Sequence, residues 1–311
     1  MPYLIEDKLV IAVSSTALFD FSAEHDLYLK EGVDQFRSYQ RDNRTEVPQL
    51  GTAFPFIQRI LQLNTIYSDH NPIEVVILSR NHADAGLRVM DAVRHYELSI
   101  SRAFFLAGSL PYPYMESVGA VLYLSTNKDE VNRAIADGFP AGYVLPCENP
   151  PIDDNRQLRI AFDFDGVIAD DEAEIVYQEK DDLDLFHEHE RRFRNKPLQS
   201  GPLMPLLRKI SALKTLERHR VKNMKEYTEF LRIAIVTARN APAHERLIKT
   251  LADAGLDTDE LFLLGGIEKK KVLDVLKPHI FFDDQIDHLQ RAAASIPSVH
   301  IPFGIANYGG K

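Results

Sequence analysis

The sequence has little cysteine, no excess of basic residues and no long apolar run. Cys147 is the only cysteine among 311 residues, so no intrachain disulfide can form and secretion into an oxidising compartment is not indicated. The formal net charge of -10 argues against nucleic acid as the main partner, because phosphate backbones are bound by basic surfaces. The run LVIAV is too short for a signal-peptide core, and no segment approaches the length that spans a bilayer. We therefore expect a cytoplasmic protein with neither a membrane nor a nucleic-acid partner.

Short apolar runs alternate with longer helical patterns along the chain. Six runs have the character of buried strands: LVIAVSS, EVVILS, AVLYLS, LRIAFDFD, RIAIVT and HIFFDD. Apolar strands separated by helices predict parallel sheets covered on both faces. The polar, proline-containing stretch CENPPIDDNRQ predicts a linker near Pro150. We expect an α/β fold with two Rossmann-like halves, residues 1–150 and 151–311.

The two halves match each other at fixed offsets. At a shift of 158 residues Arg88 falls on Arg246, and at a shift of 150 residues Gly51 falls on Gly201. Two unrelated α/β halves would share a rhythm of strands and helices, but the recurrence of the same glycines and prolines favours a duplication. Further matches at these shifts join Ser79 to Thr237, Phe104 to Phe262, Pro55 to Pro205 and Ile60 to Ile210.

Two predicted strands of the second half end in acidic residues. The first ends in Asp163 and Asp165, which point the same way because a strand has a period of two, and Gly166 lets the chain turn beside a ligand. The last ends in Asp283 and Asp284. A single Asp is common in turns and helix caps, but open α/β sheets gather their ligands at the carboxyl ends of strands. Converging carboxylates need a compensating cation, and Mg²⁺ fits better than zinc because no second cysteine or close histidine pair accompanies them.

Other groups in the second half suit an anionic ligand. The strand RIAIV ends in Thr237, Ala238 and Arg239, which offer a hydroxyl and turn amides to an anionic oxygen. Lys269 lies at the expected start of a helix, where a cation and free amides suit a phosphate.

Two more lysines follow Lys269 directly. Of Lys269, Lys270 and Lys271, only one can point inward. The residues alone leave Lys269, Lys270 and Lys271 as alternatives, and Lys269 is the one that fits the family pattern described next.

These elements resemble the four motifs of the haloacid dehalogenase superfamily of phosphotransferases: DFDGV, the threonine of IVTARN, Lys269 and FFDD, in that order. At a finer level, the chain looks like the cytosolic 5′-nucleotidase type I family. That resemblance is carried by LVIAVSSTALFD, EGVDQFRSYQ, LSRNHADAGLRV, PYPY and KPHIFFDDQ. These stretches lie in both halves, so the resemblance covers nearly the whole length.

The resemblance implies a role for each motif residue. Asp163 would attack phosphorus and form an aspartyl-phosphate, while Asp165 would protonate the leaving oxygen and later activate water. Thr237 and Lys269 would hold the transferring phosphoryl oxygens. The Mg²⁺ ligands would be Asp163, the backbone carbonyl of Asp165, and one or both of Asp283 and Asp284.

The first half keeps the outline of this site without its acids. In the overlay Ser14 and Thr16 replace Asp163 and Asp165. Neutral donors at these strand ends suit a nucleobase or ribose, although they also cap helices and satisfy turns. The tyrosines between prolines in LPYPYM can stack on a base or pack a loop against the core. The candidate substrate-binding residues are Ser14, Thr16, Ser79, Arg80, Asn81, Tyr112 and Tyr114, together with Ala238 and Arg239.

A long segment separates the first two motifs of the second half. Residues 171–228 exceed a simple crossover and predict a helical, cap-like insert beside the active site. Its charge-dense part, EKDDLDLFHEHERRFRNK, is typical of a solvated helix face, although its arginines are candidate phosphate or partner contacts.

The sequence therefore predicts a Mg²⁺-dependent phosphatase for nucleoside 5′-monophosphates. The motifs alone also suit another small phosphate monoester such as a sugar phosphate. Only the family resemblance indicates that the substrate is a nucleotide. A third hypothesis is a nucleotide-binding protein without turnover, which the paired acids disfavour. The sequence leaves the oligomeric state open and is compatible with a homo-oligomer.

Overall fold

The chain forms two compact units, Met1–Ala134 and Ile135–Lys311. The computed structural model describes residues 5–148, 156–175, 183–223 and 227–308. The division falls before the predicted boundary at Pro150, because the strand Ala141–Val144 pairs with a strand of the second unit. Pro150 itself lies outside the described residues. Across the described ranges, no helix has both the length and the hydropathy that a bilayer crossing requires.

The first unit is built on a parallel four-stranded sheet in its described part. The strands lie in the order β6-β1-β4-β5, and β2 and β3 form a separate antiparallel pair. The strands are β1 (Leu9–Val13), β2 (Phe19–Asp20), β3 (Gln49–Leu50), β4 (Ile73–Ser79), β5 (Arg102–Phe105) and β6 (Ala120–Ser125). The helices are α1 (Ser15–Leu18), α2 (Ser22–Glu31), α3 (Val33–Asp42), α4 (Phe54–Ile66), α5 (Ala83–His95), α6 (Met115–Val118) and α7 (Lys128–Ala136), with a 3₁₀ turn at Tyr112–Tyr114.

The second unit has a mixed sheet in the order β10-β9-β8-β11-β12-β7. All its described pairs are parallel except β7 with β12. The strands are β7 (Ala141–Val144), β8 (Leu158–Phe162), β9 (Leu231–Thr237), β10 (Glu260–Leu263), β11 (Ile280–Asp283) and β12 (Ser298–His300). The helices with described bounds are α8 (Leu183–Arg192), α9 (Met204–Asn223), α10 (His244–Asp253), α11 (Lys269–Leu276), α12 (Ile286–Ala292) and α13 (Ile305–Tyr308).

Each of the six predicted apolar runs forms a strand, and the strongest are buried along their whole length. Every residue of β1, β4 and β8 is buried, as expected for parallel strands covered on both faces. In the second unit, Phe281 and Leu289 belong to one core cluster. Truncating such a side chain to alanine would cost about 2–5 kcal/mol of stability.

The two units share one topology, as a duplication predicts. The order β6-β1-β4-β5 in the first unit matches β11-β8-β9-β10 in the second. The bridge from Phe19 to Leu50 recurs as a bridge from Ala169 to Ser200. Gly51 and Gly201 follow these bridges, and a Cβ on either would lie within 2.5 Å of a backbone oxygen. The shared glycine therefore lets two chain segments approach closely.

The segment predicted as an insert, residues 171–228, contains helices that have counterparts in the first unit. Helix α9 buries a long face that includes Leu206, Leu207 and Ile210, so it belongs to the core of the second unit. Its counterpart at a shift of 150 residues is α4, a core helix of the first unit. Helix α8 likewise has a counterpart at this shift, the helix α3 of the first unit, and residues 176–182 and 224–226 lie outside the description.

Candidate active site

Strand β8 delivers Asp163 to the carboxyl edge of the second sheet. The backbone N–H of Asp163 donates to the carbonyl of Phe282 at 2.8 Å, which ties this position to the neighbouring strand β11. Its Oδ1 accepts from the N–H of Phe164 at 2.7 Å. Both the backbone and the carboxylate of Asp163 are thereby fixed in a buried position.

Strand β11 brings two more carboxylates to the same edge. Asp283 is fully buried and Asp284 is nearly so. One oxygen from each of Asp163, Asp283 and Asp284 lies within 4.8 Å of the others. Oδ1 of Asp283 also accepts from the N–H of Gln285 at 2.9 Å, which fixes the turn after the strand. The structure thus gathers three of the four predicted acidic side chains into one cluster, called here the carboxylate cluster.

Gly166 makes room for this cluster. Its φ is +70°, in the left-handed region that favours glycine, and a Cβ there would lie 2.6 Å from the carboxyl carbon of Asp284. Any larger residue would press on the cluster. The predicted role of Gly166, a sharp turn beside a ligand, therefore has a direct steric basis.

Lys269 is the cation that reaches the carboxylate cluster. It opens α11, and its Nζ donates to Oδ2 of Asp163 at 2.6 Å and to Oδ2 of Asp283 at 2.7 Å. Burial opposes the charged form, but these carboxylates outweigh it and raise the pKa of Lys269 above its ordinary value. Lys270 instead pairs with Asp274 at 2.7 Å on the exposed face of α11, and Lys271 is exposed. Of these three lysines, the structure places Lys269 in the site.

One lysine does not offset the charge of the carboxylate cluster. Burial, together with the charges of Asp283 and Asp165, raises the pKa of Asp163 to about 7 despite Lys269. Burial and the charges of Asp163 and Asp283 raise the pKa of Asp284 to about 10. Buried carboxylates at this spacing repel one another unless a further positive charge is present.

The donor set fits a hard cation. Oδ1 of Asp284 is buried and, among the described residues, has no hydrogen-bond partner. Three carboxylates offer the oxygen ligands that hard divalent cations prefer, and the sulfur and paired imidazole ligands typical of zinc are not part of the cluster. The carboxylate cluster can therefore hold a metal ion.

The end of β9 lies beside this cluster in the sheet. The β8–β9 register pairs Phe162 with Ile235, so Thr237 follows two residues later on the neighbouring strand. Thr237 is buried, and its Oγ1 accepts from the N–H of Arg239 at 3.2 Å. Ala238 is exposed and lines a cleft of about 150 Å³ together with Lys269. The exposed turn at Ala238 is thus adjacent to the lysine of the site.

Arg239 points into the protein. Its Nε and Nη2 donate to the two carboxylate oxygens of Asp165 at 2.7 and 2.6 Å. Its Nη1 donates to Glu190 and, at 3.2 Å, to the carbonyl of Ala243. Arg239 was predicted to contact the substrate. In the structure its N–H groups donate to protein acceptors instead, and its side chain is only 3% exposed. The side chain of Asp165 lies outside the carboxylate cluster, so its predicted metal contact is restricted to the backbone carbonyl.

Four of the predicted binding residues of the first unit, Ser14, Thr16, Ser79 and Asn81, form hydrogen bonds with nearby serine or threonine hydroxyls. Oγ of Ser14 lies 3.1 Å from Oγ1 of Thr16 and accepts from the N–H of Ala17. Ser79 pairs with Ser15 at 2.9 Å, and Asn81 donates to the same Ser15 at 3.3 Å. The strand ends of this unit thus form a neutral hydroxyl network.

Arg80 and the two tyrosines lie apart from that network. Arg80 is exposed and donates from Nε to the carbonyl of Gly108 at 3.0 Å. Tyr112 is buried in the first unit. Tyr114 is 42% exposed and packs edge-on against Phe104 with ring centroids 5.9 Å apart. Of the two tyrosines proposed to stack on a base, only Tyr114 presents substantial surface.

Three residues near the site were not predicted to lie there: Glu190 and Asn307 were not singled out, and His288 was interpreted as part of a solvated helix face. Glu190 is buried although it lies in the charge-dense run of α8, where the pattern indicated a solvated face. His288 lies 3.2 Å from Asp283. Asn307 donates to the backbone carbonyl of Asp284 at 3.0 Å. No motif marks these residues; the duplication places Gln40 opposite Glu190, and the structure buries both.

Comparison with known proteins identifies the family. The family model described as 5′-nucleotidase matches residues 1–308. The chain belongs to the 5′-nucleotidase family. It is also 32% identical to human "Cytosolic 5'-nucleotidase 1B" over 293 residues, covering 92% of this chain and 47% of that protein. This member of the 5′-nucleotidase family therefore spans about half the length of that curated relative, and no solved structure matches it.

Proposed function

We propose that this protein hydrolyses nucleoside 5′-monophosphates to nucleoside and phosphate, with Mg²⁺ as cofactor. The observation that carries the proposal is the buried carboxylate of Asp163 beside Lys269 and two further acids, with Asp165 two residues along the chain. A binding protein would gain little from buried acids that repel a phosphate. Membership of the 5′-nucleotidase family supports the nucleotide as substrate. The single cysteine and the relative's printed name support a cytoplasmic location.

The first step forms a covalent intermediate. A carboxylate oxygen of Asp163 attacks phosphorus as the bond from phosphorus to the 5′-oxygen breaks. The proton on the Asp165 carboxyl passes to that departing oxygen, so the nucleoside leaves as a neutral alcohol. The hydrogen bond from Phe164 orients the carboxylate of Asp163 for this attack.

The second step releases phosphate. Water attacks the aspartyl-phosphate and gives a proton to the carboxylate of Asp165, and the bond from phosphorus to the Asp163 oxygen breaks. Asp165 regains its proton and Asp163 its negative charge, so the cycle closes with no net change in the protein.

Charged and polar donors stabilise the phosphoryl group in both steps. Lys269 already contacts Asp163, and with Thr237 and the exposed turn at Ala238 it would hold the equatorial oxygens. Asp163, Asp283, Asp284 and the backbone carbonyl of Asp165 would hold Mg²⁺. When bound, Mg²⁺ offsets the repulsion within the carboxylate cluster and neutralises charge on the phosphoryl oxygens.

Phosphate release from a substrate panel tests this function. The purified protein is incubated with nucleoside 5′-monophosphates and sugar phosphates, with Mg²⁺ and with a chelator. We expect phosphate only with Mg²⁺ and mainly from the nucleotides. Preference for sugar phosphates would contradict the nucleotide assignment, and no release from any compound would leave a nucleotide-binding protein without turnover.

A further inference from the structure

A chain of alternating charges runs inward from Asp165. Arg239 bonds to Asp165 through two N–H groups and to Glu190 through a third. Arg246 then donates to Glu190 at 3.0 Å and to Glu172 at 3.1 Å. The five residues alternate in sign, so each inner charge lies between two opposite ones. We call this set the charge ladder.

The inner part of the charge ladder is sealed from water. The side chains of Glu190 and Arg246 are 0% exposed, while those of Asp165 and Glu172 at the two ends are 22% and 34% exposed. Removing one partner of a buried ion pair leaves the other charge uncompensated. Glu190 on α8 therefore holds Arg239 in place, and Arg239 in turn holds the carboxylate of Asp165.

The first unit keeps the distal half of this ladder. Arg88 and Arg246 occupy equivalent positions, and each donates through Nε to a backbone carbonyl, at 3.0 and 2.9 Å. Each also donates through Nη1 to the side chain at the matching position of the equivalent helices α3 and α8, Gln40 at 3.2 Å and Glu190 at 3.0 Å. Because this half occurs in both units, it serves the shared fold.

The proximal half is charged in the second unit alone. At the positions of Arg239 and Asp165 the first unit has Asn81 and Thr16, and Asn81 bonds to Ser15 instead. A fold that needed only a buried polar contact here would be satisfied by the neutral set, as the first unit demonstrates. The second unit therefore has both the guanidinium of Arg239 and the carboxylate of Asp165, and the first unit has neither.

We propose that Arg239, anchored by Glu190, is a positioning residue for Asp165 in the hydrolysis proposed above, on which this inference rests. Its planar fork bonds to both oxygens of Asp165 and fixes the plane of that carboxylate. Each oxygen of Asp165 keeps one further lone-pair position in that fixed plane, and one of these positions would hold the proton that passes to the leaving oxygen and is later taken from water. Glu190 accepts from both Arg239 and Arg246, so α8 contributes the anchor.

Leaving-group dependence separates positioning from a structural role. A nucleoside 5′-oxygen needs a proton as it leaves, whereas an activated phenolate, as in 4-nitrophenyl phosphate, does not. In Glu190→Gln we expect kcat/KM to fall about 10- to 100-fold for a nucleoside monophosphate and less than about 3-fold for the aryl phosphate. The quantity kcat/KM isolates the step in which the leaving group departs, before the common aspartyl-phosphate is hydrolysed.

Two further variants keep the test decisive. Arg239→Lys retains the charge without the fork, so we expect a loss smaller than that of Arg239→Gln but with the same substrate bias. If Glu190→Gln fails to fold, this pair decides the question by the same ratio. Glu172→Gln makes the same substitution at the distal end of the charge ladder. In this control we expect kcat/KM to change by the same factor for the nucleoside monophosphate and for the aryl phosphate.

The outcomes distinguish this inference from the proposed function. Equal losses for both substrates in folded Glu190→Gln and in the Arg239 pair, or no loss, would overturn the positioning role while hydrolysis by the unmodified protein stands. Absence of hydrolysis by the unmodified protein with Mg²⁺ would overturn the proposed function and the inference with it.

Discussion

The strand ends of the first unit hold hydroxyls where those of the second unit hold carboxylates, yet the local backbone is alike. After β4, the N–H of Asn81 donates to Oγ of Ser79 at 3.2 Å, and after β9 the N–H of Arg239 donates to Oγ1 of Thr237 at the same distance. A hydroxyl at this position is enough to shape the turn.

The last strands extend the comparison to an acid. After β6, the N–H of Asn127 donates to Oγ of Ser125 at 3.1 Å, and after β11 the N–H of Gln285 donates to Oδ1 of Asp283 at 2.9 Å. The first unit makes this turn with a neutral oxygen, so the fold does not require the carboxylate. Buried carboxylates that repel one another destabilise a protein. Their presence in the second unit therefore points to chemistry rather than to folding.

The largest expected effect follows from removing the nucleophile. In Asp163→Asn we expect turnover to fall about 10⁴-fold or more, because no oxygen remains to form the covalent intermediate. The fold should persist, since the equivalent Ser14 ends its strand without a charge. Phosphate release and circular dichroism measure the two properties together. Turnover close to that of the unmodified protein would show that Asp163 is not the nucleophile. It would also contradict the idea that the carboxylates of the second unit are there for chemistry.

A smaller effect is expected on metal binding. In the unmodified protein, Mg²⁺ at about 100 times its Kd should add about 2.7 kcal/mol of stability, a rise of about 5–10 °C in Tm. In Asp284→Asn we expect that rise to disappear and the metal-free Tm to increase, because the folded protein no longer has to keep protonated a buried acid whose pKa is raised to about 10. Thermal unfolding with and without Mg²⁺ measures both.

A nearby acid provides the control for this variant. Asp287 is exposed on α12, three residues from Asp284, and Asp287→Asn should keep the full Mg²⁺ response. Equal Mg²⁺ responses in Asp284→Asn and the unmodified protein would show that Asp284 is not a ligand.

The sequence predicted the parts of the fold that hydrophobicity alone determines. The strands whose residues are nearly all apolar, such as β4 and β9, were recognisable as buried parallel strands. The short strands β5 and β10 escaped recognition because they are only partly buried and carry a weaker pattern. Strand β7 was not among the six predicted strands, and its pairing with β12 joins it to the second unit.

The site was predictable where residues follow a strand directly, and not where partners come from elsewhere. Asp163 and Asp283 could be located because strand ends converge at one edge of the sheet. The partners of Arg239 could not, because a charged helix segment gives no sign of which residue turns inward. For that reason the sequence suggested a substrate contact for Arg239 and did not predict its hydrogen bond to Glu190.

The smallest effect is expected in the first unit. Ser14 caps α1 by accepting from the N–H of Ala17 at 3.1 Å, so Ser14→Ala should lower stability by about 1 kcal/mol. We expect kcat to stay within about twofold of the unmodified value, because a single hydroxyl outside the reacting groups contributes little to the chemical step. Steady-state kinetics and thermal unfolding measure both quantities. A rise in KM at constant kcat would support the predicted role of Ser14 in substrate binding. A hydroxyl network that serves only the fold of the first unit takes no part in breaking a phosphate bond. Complete loss of turnover in a folded Ser14→Ala protein would therefore contradict the assignment of the chemistry to the second unit alone.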